Sequence, residues 1–130
     1  MTNRPPRIVH LVADQRWQEV VASGAPTYVP DRYEADGFIH LSAVTQVVTP
    51  ANALFVGRTD MVALVVDVAS VNQHLVWEPG DGTNEIFPHL YAPLPVTSVV
   101  AVVPFGCDPD GRFTVSEELL ACTAGEEFSG

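Results

Sequence analysis

Three of the four histidines in this 130-residue chain lie in short apolar runs: Ile8-Val9-His10-Leu11-Val12, Phe38-Ile39-His40-Leu41-Ser42 and Phe87-Pro88-His89-Leu90-Tyr91. An imidazole donates, accepts and changes charge near neutrality, so it suits acid–base chemistry, ligand orientation or metal binding. At a half-buried position it costs free energy unless a side chain, a ligand or a metal satisfies it. Three such residues on separate segments point to a shared pocket.

Side chains alternate across a strand, so parity sorts their neighbours. His10 shares a face with Ile8 and Val12, and His40 with Phe38 and Ser42. His89 shares one with Glu85, Phe87 and Tyr91, provided that Pro88 leaves the pleat undisturbed. Each set combines apolar or aromatic surface with groups that donate, accept or exchange a proton, the usual lining of a small-molecule site. The plainer alternative is that each imidazole is satisfied by a carbonyl or carboxylate and is structural. His74, in a polar stretch, reads as an ordinary surface residue.

Several chemistries are excluded. The chain contains no lysine, which removes a P-loop lysine and a Schiff base. No three-glycine dinucleotide fingerprint and no nucleophile elbow is present. Cys107 and Cys122 lie far from the histidine segments and form no redox or metal spacing, so they read as reduced thiols. His10, His40 and His89 with Glu85 or a water could hold zinc, but their dispersed spacing matches no compact ligand motif, and no metal is expected.

These side chains need a scaffold. A strand over 7–13 leads into a helix over 14–23, with Asp14 as its N-cap and Gly24 as its stop. Residues 25–36, with Pro26 and Pro30, read as loop with an extended piece at 27–29. A strand over 37–42 follows, then two helices separated at Thr49-Pro50, the second covering 50–56. Residues 61–68 and 96–105 read as buried strands, and 75–77 as a short one. Residues 85–91 are extended, and Pro88 confines them to an edge or to irregular structure. Ser116 caps a short helix from Glu117, and 124–130 is frayed. Strands and helices mix without regular alternation, so the fold expected is α+β, a single domain with a mainly antiparallel, curved sheet and two or three short helices.

Composition narrows the partners. The net charge is −10, and the six arginines are scattered singly, so no basic stripe tracks a long nucleic acid. Residues 105–130 carry one arginine against six acids, whereas 1–104 carry five against ten. No apolar run is long enough to span a bilayer, and 1–7 shows no apolar export signal, so a cytoplasmic location is expected. The expected organisation is a flexible stretch at 1–6, a domain over 7–105 and a partly ordered acidic tail over 106–130.

In order, the His10 phrase, Gly37-Phe38-Ile39-His40-Leu41-Ser42, the 62–67 strand, Glu78, and Phe87-Pro88-His89-Leu90-Tyr91 with Pro93-Leu94 resemble the uncharacterised bacterial family called domain of unknown function 952. The resemblance covers roughly residues 7–105. That family in turn looks like a distant relative of the ADP-ribosyltransferase fold, including the RNA 2′-phosphotransferases. The resemblance implies two small curved sheets cradling a nicotinamide-like ligand in a nucleotide-sized cleft, with NAD as a candidate substrate. It implies catalytic roles for His10, His40, Glu85 and His89. His10 would hydrogen-bond a ribose, His40 orient a ribose or phosphate oxygen, and Glu85 polarise a 2′-hydroxyl. Phe38, Ser42, Phe87 and Tyr91 would bind the substrate, with Phe87 or Tyr91 stacking on the base. The chain departs from that pattern in two ways. Leu11 stands where a glycine usually follows the first histidine, and few arginines lie near these segments for RNA. A transferase-like enzyme, a non-catalytic binder of a nucleotide-like small molecule, and a structural or interaction domain all remain open.

Overall fold

The computed structural model describes residues 4–80 and 82–124. Strand β1 (Arg7–Ala13) runs into helix α1 (Asp14–Ser23), and β2 (Thr27–Tyr28) follows. A one-turn helix α2 (Tyr33–Asp36) precedes β3 (Ile39–His40) and α3 (Val48–Leu54). Then come β4 (Met61–Asp67), α4 (Val68–Val71), β5 (Leu75–Pro79), β6 (Ile86–Leu90), β7 (Leu94–Pro95), β8 (Val99–Pro104) and α5 (Glu117–Thr123). The architecture is α+β: among the described residues there are three small antiparallel sheets, ordered β1-β4-β8, β3-β6-β5 and β2-β7, with short helices around them.

β4 organises the interior. Residues 61–66 are all buried, because this apolar run has both faces covered. Val62, Leu64 and Val66 point into one core with Ile8, Val12, Trp17, Tyr28, Ile39, Leu90 and Leu94. Ala63 and Val65 point into a second with Val9, Val47, Ala51, Val103, Phe105, Phe113 and Leu119. Each fully buried aliphatic side chain contributes roughly 1.5–3 kcal/mol by leaving water. Segment 106–124 packs onto this second core, with Phe113 stacked on Phe105 at 5.1 Å between ring centroids.

The two larger sheets meet at one bridge. Val9 N–H donates to the Ser42 carbonyl at 2.8 Å, and Ser42 N–H returns to the Val9 carbonyl at 2.9 Å. The His10 strand is thereby fixed beside the His40 strand.

Several boundaries differ from expectation. Ala13, not Asp14, is the N-cap of α1; Asp14 occupies the first turn, where its charge meets the helix dipole. α2 lies in what read as loop, because four residues show no periodicity. In place of two helices split at Thr49-Pro50 there are turns over 44–47 and one helix, α3. Pro50 is its third residue, where a missing N–H costs no helical bond. The 37–42 strand contracts to Ile39–His40 plus the Ser42 bridge. The 96–105 strand begins only at Val99, after a 3-10 turn (Val96–Ser98) in which Ser98 Oγ donates to the Pro95 carbonyl at 2.6 Å. β8 is an edge strand rather than a buried one, and Val100 and Val102 are exposed.

Pro88 is central, not at an edge, since β6 pairs with both β3 and β5. Leu41 N–H donates to the Pro88 carbonyl at 3.1 Å, so the donor that proline lacks faces β3. β3 is only two residues long, and the ladder ends there, so one bond is lost rather than a register. The Ser116 cap holds as expected, its Oγ accepting from Leu119 N–H at 3.1 Å. The frayed terminus expected from residue 124 lies, from residue 125, outside the described residues, as does Asp81.

Candidate functional site

Antiparallel pairing puts His40 of β3 directly opposite His89 of β6. Because Leu41 and Pro88 form the hydrogen-bonded pair next to them, the two histidines occupy the closer, non-hydrogen-bonded kind of pair. Their rings meet edge-on at 5.4 Å between centroids. Ile39 and Leu90, one residue along each strand, point the other way into the core. Registration of β5 against β6 places Glu78 opposite Phe87 and diagonal to His89 on the same face.

That face forms one wall of a cleft of about 420 Å³. His40, Ser42, Glu85, Phe87 and His89 line it from the strands, and Thr49, Pro50, Ala53 and Leu54 from the α3 region. Gly80 and Thr83 also line it, and a Cβ at Gly80 would come within 2.9 Å of the Phe87 ring and displace it. The volume falls in the range of small-molecule sites, and apolar surface with few polar groups is their usual character.

The two cleft histidines are each held by a carboxylate. His89 Nδ1–H donates to Glu78 Oε2 at 2.8 Å, and the Tyr91 hydroxyl donates to the same oxygen. These bonds, Tyr91 first and His89 second, hold the Glu78 carboxyl below its usual range. In return the carboxylate raises the Tyr91 phenol. An ionised Glu78 accepts only, so Nδ1 carries the proton and, in the neutral ring, Nε2 is a lone-pair acceptor. No hydrogen bond to Nε2 is found among the described residues. Phe38 stacks on His89 at 4.1 Å and 17° and keeps the ring in place. Only 4% of the His89 side chain is exposed, so its orientation is tightly determined.

His40 Nε2–H donates to Asp36 Oδ2 at 3.0 Å. α2 brings the carboxylate there, since Gly37 ends it with φ 83° and turns the chain back into β3. Asp36 also accepts from Arg32, and these bonds, the Arg32 one foremost, lower its carboxyl from the usual range.

His10 is placed otherwise. It is buried and does not line the cleft. Its Nδ1–H donates to the His40 carbonyl at 2.8 Å, and its Nε2 accepts from the Tyr28 hydroxyl at 3.0 Å. A carbonyl can only accept, which fixes the tautomer. Desolvation pushes His10 down to about 4 and Tyr28 up to about 12. His10 is therefore a neutral strut behind β3, with no ring nitrogen left for a ligand.

The eight residues singled out in the sequence are thus divided. His40, Ser42, Glu85, Phe87 and His89 share the cleft; Phe38 and Tyr91 support it; His10 stands behind it. Glu85 does not touch His89. It sits exposed at the rim, accepting from Gln46 Nε2 at 3.1 Å. The carboxylate that does hold His89 is Glu78, for which sequence parsing gave no role. Only the register of β5 on β6 reveals it, although alternation from Val76 to Glu78 was the available signal. Among the described residues no group of three His, Cys, Asp or Glu side chains could hold a metal ion. Cys107 and Cys122 are free and half-buried.

Among the described residues no helix is long and apolar enough to cross a membrane. None of the curated proteins is similar to this chain. Three solved structures are: the crystal structure of protein CC0527 from Caulobacter crescentus, that of a double methionine mutant of the same protein, and its solution NMR structure. Each is 32% identical to this chain. The two crystal structures superpose with a TM-score of 0.76 over 88% of this chain and 98% of theirs; the NMR structure gives 0.75 over 89% and 98%. The family described as Protein of unknown function (DUF952) matches residues 11–102, and it is to this family that the chain belongs.

Proposed function

We propose that the cleft between the β3-β6-β5 sheet and α3 binds a small organic molecule of nucleoside to nucleotide size, and that His89 is its principal polar contact. One observation carries this reading: His89 has its Nδ1–H anchored on Glu78, its ring clamped by Phe38, and its Nε2 without an internal partner among the described residues, all beside a cleft of about 420 Å³. A carboxylate that fixes the tautomer of an imidazole prepares the opposite nitrogen to accept a hydrogen bond or a proton. Phe87, Pro50, Ala53 and Leu54 supply the apolar walls that such a ligand needs.

An ADP-ribosyltransferase-like reaction on NAD is the finer form of this reading, and it rests on the family resemblance. Its polar roles would fall to His40, Glu85 and His89. His10 would act as a positioning residue through the His40 backbone.

Imidazole NMR and thermal shift with NAD, ADP-ribose and adenosine test the proposal. Binding should move the His40 and His89 ring resonances, leave His10 nearly unmoved, and raise the melting temperature by mass action. A protein that stays folded and shows no movement at His89 with any of the three at millimolar concentration would rule the ligand site out. Release of nicotinamide from NAD that is lost in a His40→Ala, Glu85→Gln double variant would support the transferase form; release that continues unchanged would sink it.

A further inference from the structure

The charges around the cleft say which ligands it admits. A phosphate group held in a protein cleft needs cationic side chains or converging backbone amides to replace its hydration. This chain has no lysine, and all six of its arginines are among the described residues. None of them lines the cleft. Arg32, well exposed, pairs with Asp36 at 3.0 Å and 3.3 Å. Carboxylates, by contrast, are close. Glu85 lines the rim and Glu78 lies one hydrogen bond behind His89, whereas Asp36, behind His40, is balanced by Arg32. Glu78 is held more acidic than usual by Tyr91 and His89, so it stays charged well below neutrality.

The rest of the lining favours a flat ring with hydrogen-bonding edges. Phe87 presents an aromatic surface, Pro50 and Leu54 add apolar ones, and Ser42 and His89 offer polar atoms. An apolar, aromatic-walled cleft bordered by negative charge attracts neutral or cationic heterocycles and repels anions.

We infer that the ligand of this cleft is an unphosphorylated, neutral or cationic planar heterocycle, such as a free base or nucleoside, and that phosphate is selected against by Glu85 and Glu78 and by the absence of any arginine from the lining. This inference rests on the ligand site proposed above and specifies its chemistry, favouring a nucleoside-like ligand over the NAD form of that reading. In a nucleotide, the base and ribose would occupy the cleft and the phosphate would be held out in solvent at a cost in affinity.

The experiment is a titration of the intact chain with adenosine, AMP and ADP at low ionic strength, followed at the His89 ring resonance. Adenosine should bind most tightly and ADP at least tenfold more weakly, and added salt should narrow the gap by screening. A Glu85→Arg variant, altered at an exposed position, should reverse part of the order by improving ADP relative to adenosine. Tighter binding of AMP or ADP than of adenosine by the unaltered chain would overturn the inference while leaving the ligand site standing. Movement of His89 by none of the three would remove the site and the inference together.

Discussion

His10 and His89 look alike in the sequence, each an imidazole flanked by apolar residues in a strand, yet the fold treats them oppositely. His10 spends both ring nitrogens inside the protein, on a carbonyl and a phenol, with no ionised partner. His89 spends one nitrogen on a carboxylate and keeps the other, beside a cleft. His40 resembles His89 in this respect, with Asp36 as its anchor. Both His10 and His89 are buried, so burial alone does not separate a histidine whose nitrogens are both used internally from one with a nitrogen left over. What separates them is whether the hydrogen-bonding capacity is exhausted internally and whether the anchoring partner carries charge.

The largest expected effect lies at His10. His10→Ala removes a packed ring and strands the Tyr28 hydroxyl and the His40 carbonyl, which should cost about 2–4 kcal/mol. Chemical denaturation measures it, and a cost below about 0.5 kcal/mol would contradict the strut role. His89→Gln retains a donor toward Glu78 but loses the ring nitrogen proposed to contact the ligand. Adenosine affinity should fall at least tenfold while stability drops by only about 1 kcal/mol. If the two variants show the reverse pattern, the distinction between the histidines collapses.

Acid sharpens the same contrast. The folded protein holds His10 neutral down to about 4, whereas the unfolded chain takes up that proton near 6.5. The unfolded state therefore binds more protons between those values. The stabilising contribution is complete above pH 6.5 and is lost as pH falls toward 4, to a total of about 3 kcal/mol. Carboxylates with lowered values, Glu78 and Asp36, act in a more acidic window, their contribution fading only as pH drops below the ordinary carboxyl range. Urea unfolding from pH 7 to 4 should show a decline that His10→Gln largely abolishes. An equal slope in that variant would assign the decline to other groups.

The smaller effects belong to the anchors. Glu78→Gln should let His89 populate both neutral tautomers, visible in its ring ¹⁵N shifts, and weaken adenosine severalfold. A single unchanged tautomer would show that Glu78 does not position the ring. Tyr91→Phe should alter stability least, by roughly 0.5 kcal/mol or less at this exposed site. It should also move the Glu78 carboxyl back toward its ordinary titration range, since the Tyr91 bond is the chief cause of the lowering.

The strands carrying His10 and His40 were legible because apolar alternation and β-branched runs constrain short-range conformation directly. α1 and the Ser116-capped α5 were legible for the same local reasons. The one-turn α2 was not, and with it the Asp36 anchor of His40 escaped notice. Pro88 misled because its missing donor argues for an edge, and only the two-residue length of β3 makes a central place tolerable. Glu85 drew the acidic role through its nearness in sequence to His89, whereas cross-strand register gives that contact to Glu78.

By itself the sequence determined the α+β class, the absence of lysine, the acidic balance and the parity that puts Phe87 and His89 on one strand face. These are properties of composition and of a pleat that repeats every two residues. Which histidine would be exhausted and which left available was decided by tertiary structure alone. That outcome depends on the Val9–Ser42 bridge, which presses His10 against the His40 carbonyl, and on the register that sets Glu78 diagonal to His89. Contacts across 30 residues in the first case and 11 in the second are set by how strands pair, and no local propensity encodes them.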